Sequence, residues 1–210
     1  MKLPSLSLLQ LEYLTDDTGI IQHARYAVSD PNAGYTADDN SRALVLTARL
    51  HAVRPRKQTE GLLHRYLAFL QYVQRSDGRF MNLVRYDRTV LPEGVSEDCF
   101  GRCLWACAEV IQCNSATEGI RHSAHAMLEA ALPHVETLQT LRGWANTLLG
   151  VSLLPGENGT GLTVLLADRL LEAFGSSADM RWQWFVSVLL YDLGACPRNR
   201  VFEHFRLVSC

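Results

Sequence analysis

An all-α protein made of paired helices is the fold class this sequence predicts, and three observations predict it. Apolar residues recur at helical spacing along most of the chain. Strand-like patterning is confined to one short stretch. A motif at 38–44, "DDNSRAL", is echoed at 98–104 by "DCFGRCL", each with Asp four residues before Arg. An echo of about one helix pair suggests helical hairpins arranged as a solenoid or a toroid.

The elements follow in order. An opening helix spans about 5–14. Residues 42–53, "RALVLTARLHAV", carry apolar groups at helical spacing, and Pro55 stops the segment. Residues 59–75 form a second helix with Leu62, Tyr66, Phe69 and Val73 on one stripe, and "SDG" at 76–78 turns the chain. "RFMNLVRY" at 79–86 reads as a short strand or an extended loop. Helices follow at about 97–112, 118–131, 134–150, 161–174 and 180–193, which makes about eight. "GENGTG" at 156–161 reads as a loop before a helix, not a phosphate cradle, because no strand precedes it and no Lys-Ser/Thr follows. Glu157 within it is placed to reach a site at the helix starts.

Composition excludes several classes. The 210 residues are 48% hydrophobic, enough for one real core, and no linker divides them. The expected organisation is one domain over 1–210, with an atypical tail at 194–210. Net charge is −2 and the pI about 6.4, with no basic run, which argues against a nucleic-acid partner. No apolar stretch approaches the ~18 residues of a membrane helix. The N-terminal "MKLPSLSLLQLEYL" is broken by Gln10 and Glu12 and does not read as a signal peptide. Cys99, Cys103 and Cys107 are spaced four apart, on one helical face rather than in a zinc-knuckle turn. Buried thiols in a reducing cytoplasm are the expectation, with no metal and no cofactor. His122 and His125, three apart, read as a solvated helix face.

The carboxylates carry the functional signal. Asp38 and Asp39 stand at a helix start, where Asn40 or Ser41 serves as N-cap and Arg42 pairs with Asp38. Ser96, Glu97, Asp98 and Arg102 repeat that arrangement. In a ring of hairpins, equivalent helix starts open on one end, so acids distant in sequence converge there. Paired acids at such an end suit glycosidic-bond chemistry, one protonated for the leaving oxygen and one ionised as base or nucleophile. The catalytic candidates are Asp38, Asp39, Glu97 and Asp98. A direct attack by water would suit an inverting geometry, with carboxyl groups about 6.5–9.5 Å apart. Aromatic candidates for stacking on sugar faces are Tyr35, Trp105, Trp182, Trp184 and Tyr191.

Five stretches occur in order: "LTDDTGIIQHARY", "GYTADDNSRAL", "SEDCFGRCLWA", "LRGWANTLLG" and "WQWFVSVLLYD". They resemble a bacterial family found with, or fused to, glycosyltransferases of mannan and related oligosaccharide gene clusters. Its members look like six-hairpin glycosidases, so the resemblance implies an (α/α)₆ toroid. It covers about residues 9 to 192. It implies that Asp16, Asp17 and His23 serve the first motif, Asp38, Asp39 and Arg42 the second, and Glu97, Asp98 and Arg102 the third. Trp182, Trp184, Tyr191 and Asp192 would serve the last. An oligosaccharide ligand and a glycosyltransferase partner are implied with them.

Two departures bear on activity. The family pattern W-x-W-F-E and later Y-D-N reads Val186 and Leu193 here, so a carboxylate is replaced by an apolar side chain. Twelve helices make a six-hairpin ring, and about eight are expected, as in a C-terminally shortened member. Such a chain leaves apolar helix faces for a second copy or another partner. Two readings stand: a glycoside hydrolase-like enzyme, and a glycan-binding or glycosyltransferase-associated module without chemistry.

Overall fold

In the computed structural model, residues 7–177 and 185 are described. The expected helix at 180–193 and the tail at 194–210 lie outside the described residues, and with them Trp182, Trp184, Val186, Tyr191, Asp192 and Leu193. Seven α-helices are present among the described residues: α1 (Leu9–Tyr13), α2 (Ala37–Val53), α3 (Lys57–Val73), α4 (Glu97–Gln112), α5 (Glu118–Ala131), α6 (Leu141–Val151) and α7 (Gly156–Ser177). The protein is all-α. Its strands are two residues each: an antiparallel pair β1 (Ala24–Arg25) and β2 (Val28–Ser29), and an antiparallel trio β3 (Tyr35–Thr36), β4 (Leu83–Val84) and β5 (Val90–Leu91) in the order β3-β4-β5.

The helices pack as hairpins in two layers. α2, α4 and α6 lie side by side, while α3, α5 and α7 each pack against the preceding one. The core between the layers is filled by Leu44, Leu63, Tyr66, Phe69, Leu70, Leu104, Leu128, Leu166 and Leu170, all essentially inaccessible to water. α4 and α6 approach most closely because glycines face each other's backbone. A Cβ on Gly101 would stand 2.8 Å from the Thr147 nitrogen, and one on Gly150 would stand 2.9 Å from the Trp105 Cα. Glycine inside a helix costs about 0.5–1 kcal/mol against alanine, and this contact offsets it.

Three boundaries differ from expectation. α2 begins at Ala37, and its N-cap is Thr36 rather than Asn40 or Ser41. Both of those residues are buried inside the first turns: Asn40 accepts from the Ile20 nitrogen and donates to the Thr36 carbonyl. Residues 132–137 form a 3-10 turn, and α6 starts later, behind Thr140. "GENGTG" lies inside α7, not before it. Gly159 is tolerated there because its Cα sits against Leu154, whose carbonyl oxygen a Cβ would meet at 2.4 Å. The stretch 79–86 contains β4 within an otherwise extended loop.

The two ends of the layer differ. At one end the connections are short, 54–56, 113–117 and 152–155. At the other they run over 74–96 and 132–140 and include the trio of strands. Among the described residues no helix is long and apolar enough to cross a membrane.

Candidate functional site

Three helices begin in the same way. Thr36, Ser96 and Thr140 each precede a helix and accept, through the side-chain oxygen, the backbone N–H three residues on: Asp39 at 3.0 Å, Cys99 at 3.1 Å and Gly143 at 3.2 Å. Two residues after each cap stand Asp38, Asp98 and Arg142. Six residues after each stand Arg42, Arg102 and Asn146. One turn separates these two positions, so both face the neighbouring helix start.

Each helix reaches back to the acid of the one before it. Arg102 on α4 has its Nε 2.7 Å from Asp38 Oδ1 on α2, and the same nitrogen donates to Asp98 Oδ1 at 3.1 Å. Asn146 on α6 donates through Nδ2 to Asp98 Oδ1, and Arg142 Nη1 lies 3.6 Å from Asp98 Oδ2. Arg42 closes the other side, with Nη2 3.1 Å from Asp38 Oδ2. The Arg102 side chain is 5% exposed, whereas those of Asp38 and Asp98 are each 25% exposed. The cation is inside and the two acids are at the surface of the cluster.

Burial pushes the Asp38 carboxyl above its ordinary value, against the opposing pull of Arg102 and then Arg42; Asp39 and Asp98 add a smaller upward push. The two Oδ1 atoms touch one nitrogen at 2.7 and 3.1 Å. They cannot lie farther apart than those two distances end to end, so the near edges of the two carboxyl groups approach more closely than the about 6.5–9.5 Å between the carboxyl groups of an inverting pair.

The other acids have other partners, and two of them, Glu97 and Asp16, hold backbone. Asp39 Oδ2 accepts from the Thr36 hydroxyl at 2.7 Å, completing a reciprocal cap. Glu97 accepts from the Gln139 nitrogen (3.0 and 2.9 Å) and the Thr140 nitrogen (2.7 Å), so an α4 side chain fixes the start of α6. Asp16 Oδ1 accepts from the Thr18 and Gly19 nitrogens, and its Oδ2 accepts from the Tyr35 hydroxyl at 2.6 Å. Asp17 is exposed and accepts from Arg88 Nη2 at 2.7 Å, and that guanidinium holds its carboxyl below the ordinary range. His23 is exposed ahead of the β1–β2 hairpin.

Of the aromatic candidates, Tyr35 and Trp105 lie among the described residues. Tyr35 is 2% exposed, so its ring is a core element rather than an open sugar face. Trp105 is half-buried, donates to Glu109 Oε1 at 2.9 Å, and carries the Arg49 guanidinium over its ring. Glu157, at the start of α7, lies at the short-loop end, away from the acids. His122 and His125 are exposed on α5, as the helix-face reading expects, and Cys99, Cys103, Cys107 and Cys113 are buried free thiols. Sequence reasoning passed over Asn82, Arg142 and Asn146. Asn82 Oδ1 accepts from the Asp38 nitrogen at 3.1 Å, and the other two complete the cluster. The signal for Arg142 and Asn146 was available: Thr140 repeats the spacing of cap, second and sixth positions a third time.

No protein-family model matches the chain, and no curated protein matches it. A solved polysaccharide lyase is similar at 16% identity and a TM-score of 0.41, over 86% of this chain and 49% of the lyase. The chain thus spans about half the length of that protein. A likeness at that level carries no activity across.

Proposed function

We propose that the chain is a carbohydrate-active protein, glycoside hydrolase-like, that takes an oligosaccharide at the end where α2, α4 and α6 begin. The observation that carries the reading is the pair of surface carboxylates, Asp38 and Asp98, held side by side by the buried Arg102. Acids from two helices, distant in sequence, are set in one place with their approach fixed from behind, which is how preorganised acid pairs are built. Asp38, whose proton affinity burial raises, is the general acid that protonates the leaving oxygen. Asp98, under two guanidinium groups and an amide, is its partner, the base or nucleophile at the sugar carbon. Asp39 and Glu97 support the two helix starts. The motif resemblance adds the oligosaccharide class and an associated glycosyltransferase.

One observation favours the second reading, binding without turnover. The acids are compensated by Arg42, Arg102 and Arg142, and their near oxygens share one Arg102 nitrogen. In that reading the same groups recognise sugar hydroxyls.

The test measures binding and hydrolysis of mannose and glucose oligosaccharides by the full chain. Turnover in the native chain, lost in Asp38→Asn with binding retained, supports the enzyme. Binding without turnover, weakened by Asp98→Asn, supports the module. Neither binding nor turnover in the native chain sinks both.

A further inference from the structure

We propose that Tyr86 is the floor of a subsite at the same end of the fold as the Asp38–Asp98 pair, taking the hydrogen-rich face of a neutral pyranose. The inference rests on the proposed glycan binding and names a residue outside the five motifs. The Tyr86 ring stacks on Tyr35, with centroids 6.0 Å apart and planes inclined by 16°. Tyr35 is buried, yet Tyr86 remains 52% exposed. Tyr35 therefore backs part of one ring face, and the rest of the ring is open to water.

The exposed ring is held in place. Tyr35 is fixed by its hydrogen bond to Asp16 and by contact with Phe69 at 6.0 Å. Tyr86 sits in the turn between β4 and β5, and the turn is fastened at Arg88. Arg88 adopts a φ of 70°, a left-handed conformation uncommon for a non-glycine residue, and its nitrogen donates to the Arg85 carbonyl across the turn. Its guanidinium donates to Asp17, and its carbonyl accepts from the Tyr72 hydroxyl. The turn belongs to the same end as the acids, because β4 pairs with β3 and β3 runs directly into Thr36 and α2.

A rigid aromatic ring open to water is suited to a sugar. The weakly positive axial C–H groups of a pyranose meet the negative π-face, and apolar area leaves water. The Asp17–Arg88 pair beside it offers an acceptor and donors to ring hydroxyls. Arg85 and Asp87 flank Tyr86, so the two arginines and two aspartates around the ring balance and give no net charge to select an ionic ligand.

The experiment titrates the full chain with neutral mannose and glucose oligosaccharides, comparing the native protein with Tyr86→Ala, Tyr86→Phe and Asp98→Asn. Saturation transfer from tyrosine ring protons to the sugar reports the contact. Tyr86→Ala is expected to weaken binding about tenfold and Tyr86→Phe about twofold at most, the scale of one aromatic contact. Restoration by phenylalanine separates loss of the ring from loss of the fold. Unchanged binding in Tyr86→Ala, with Asp98→Asn weakened, overturns the subsite and leaves the proposed function standing. Absence of binding by the native chain overturns both.

Discussion

Replacing Arg102 with methionine tests the central contact. Methionine fills most of the buried volume but leaves Asp38 and Asp98 facing each other without the cation they share. Two like charges about 5 Å apart repel by roughly 3 kcal/mol at an effective dielectric constant near 20. Breaking a fully buried pair costs about 3–5 kcal/mol. Both acids keep a quarter of their exposure and a second guanidinium, Arg42 or Arg142, so the expected loss at neutral pH is about 3 kcal/mol, the lower end of that range. The pH dependence follows from Asp38, whose value is already raised in the folded native chain. The folded state then binds the proton more tightly than the unfolded state, so this group's contribution falls as pH rises through the window above 3.8. Removing the cation raises Asp38 further, and acid should therefore narrow the gap between variant and native. Urea unfolding at neutral pH and at a pH near 4–5 measures both quantities. A loss below about 1 kcal/mol at neutral pH, or one that does not shrink in acid, would refute the reasoning.

Three further outcomes are expected. Thr36→Ala, Ser96→Ala and Thr140→Ala should each lower stability by about 1 kcal/mol, and Glu97→Ala by a comparable amount through α6, read by chemical unfolding. Gly101→Ala should cost about 1–3 kcal/mol despite its better helix propensity, because its Cβ would press on α6; a raised melting temperature would contradict this. Cys99, Cys103, Cys107 and Cys113 should resist alkylation in the native state and react after denaturation. Burial pushes the Cys107 thiol up to about 12 and Cys103 in the same direction. Peptide mapping after timed labelling checks this residue by residue.

Much of the helical framework was legible, because periodicity and punctuation agree along α3, α4 and α5. Ser96 was readable as a cap, and the Arg four residues after each acid was readable as its partner. The start of α2 was misread because Asn40 and Ser41 are common capping types. Their burial against Ile20 and within the helix decides otherwise, and no local pattern encodes that contact. "GENGTG" differs for another reason: three glycines argue for a loop, yet α7 starts at Gly156 and Gly159 lies close against Leu154 just before it. Of the acids, sequence placed four at helix starts but did not sort them. Asp39 faces the hydroxyl of its own cap and Glu97 faces backbone N–H groups, while Asp38 and Asp98 face guanidinium groups. That sorting depends on how adjacent helices are set against each other, which spacing within one helix does not reveal.

The backward reach of Arg102 and Asn146 gives the assembly a direction, like courses of roof tiles in which each overlaps the last. A residue inserted in the first turn of α4 would misalign two seams at once. One inserted at 113–117 or 152–155 would misalign none. Loop length is therefore free to drift, while the first turns of α2, α4 and α6 are held to a fixed count.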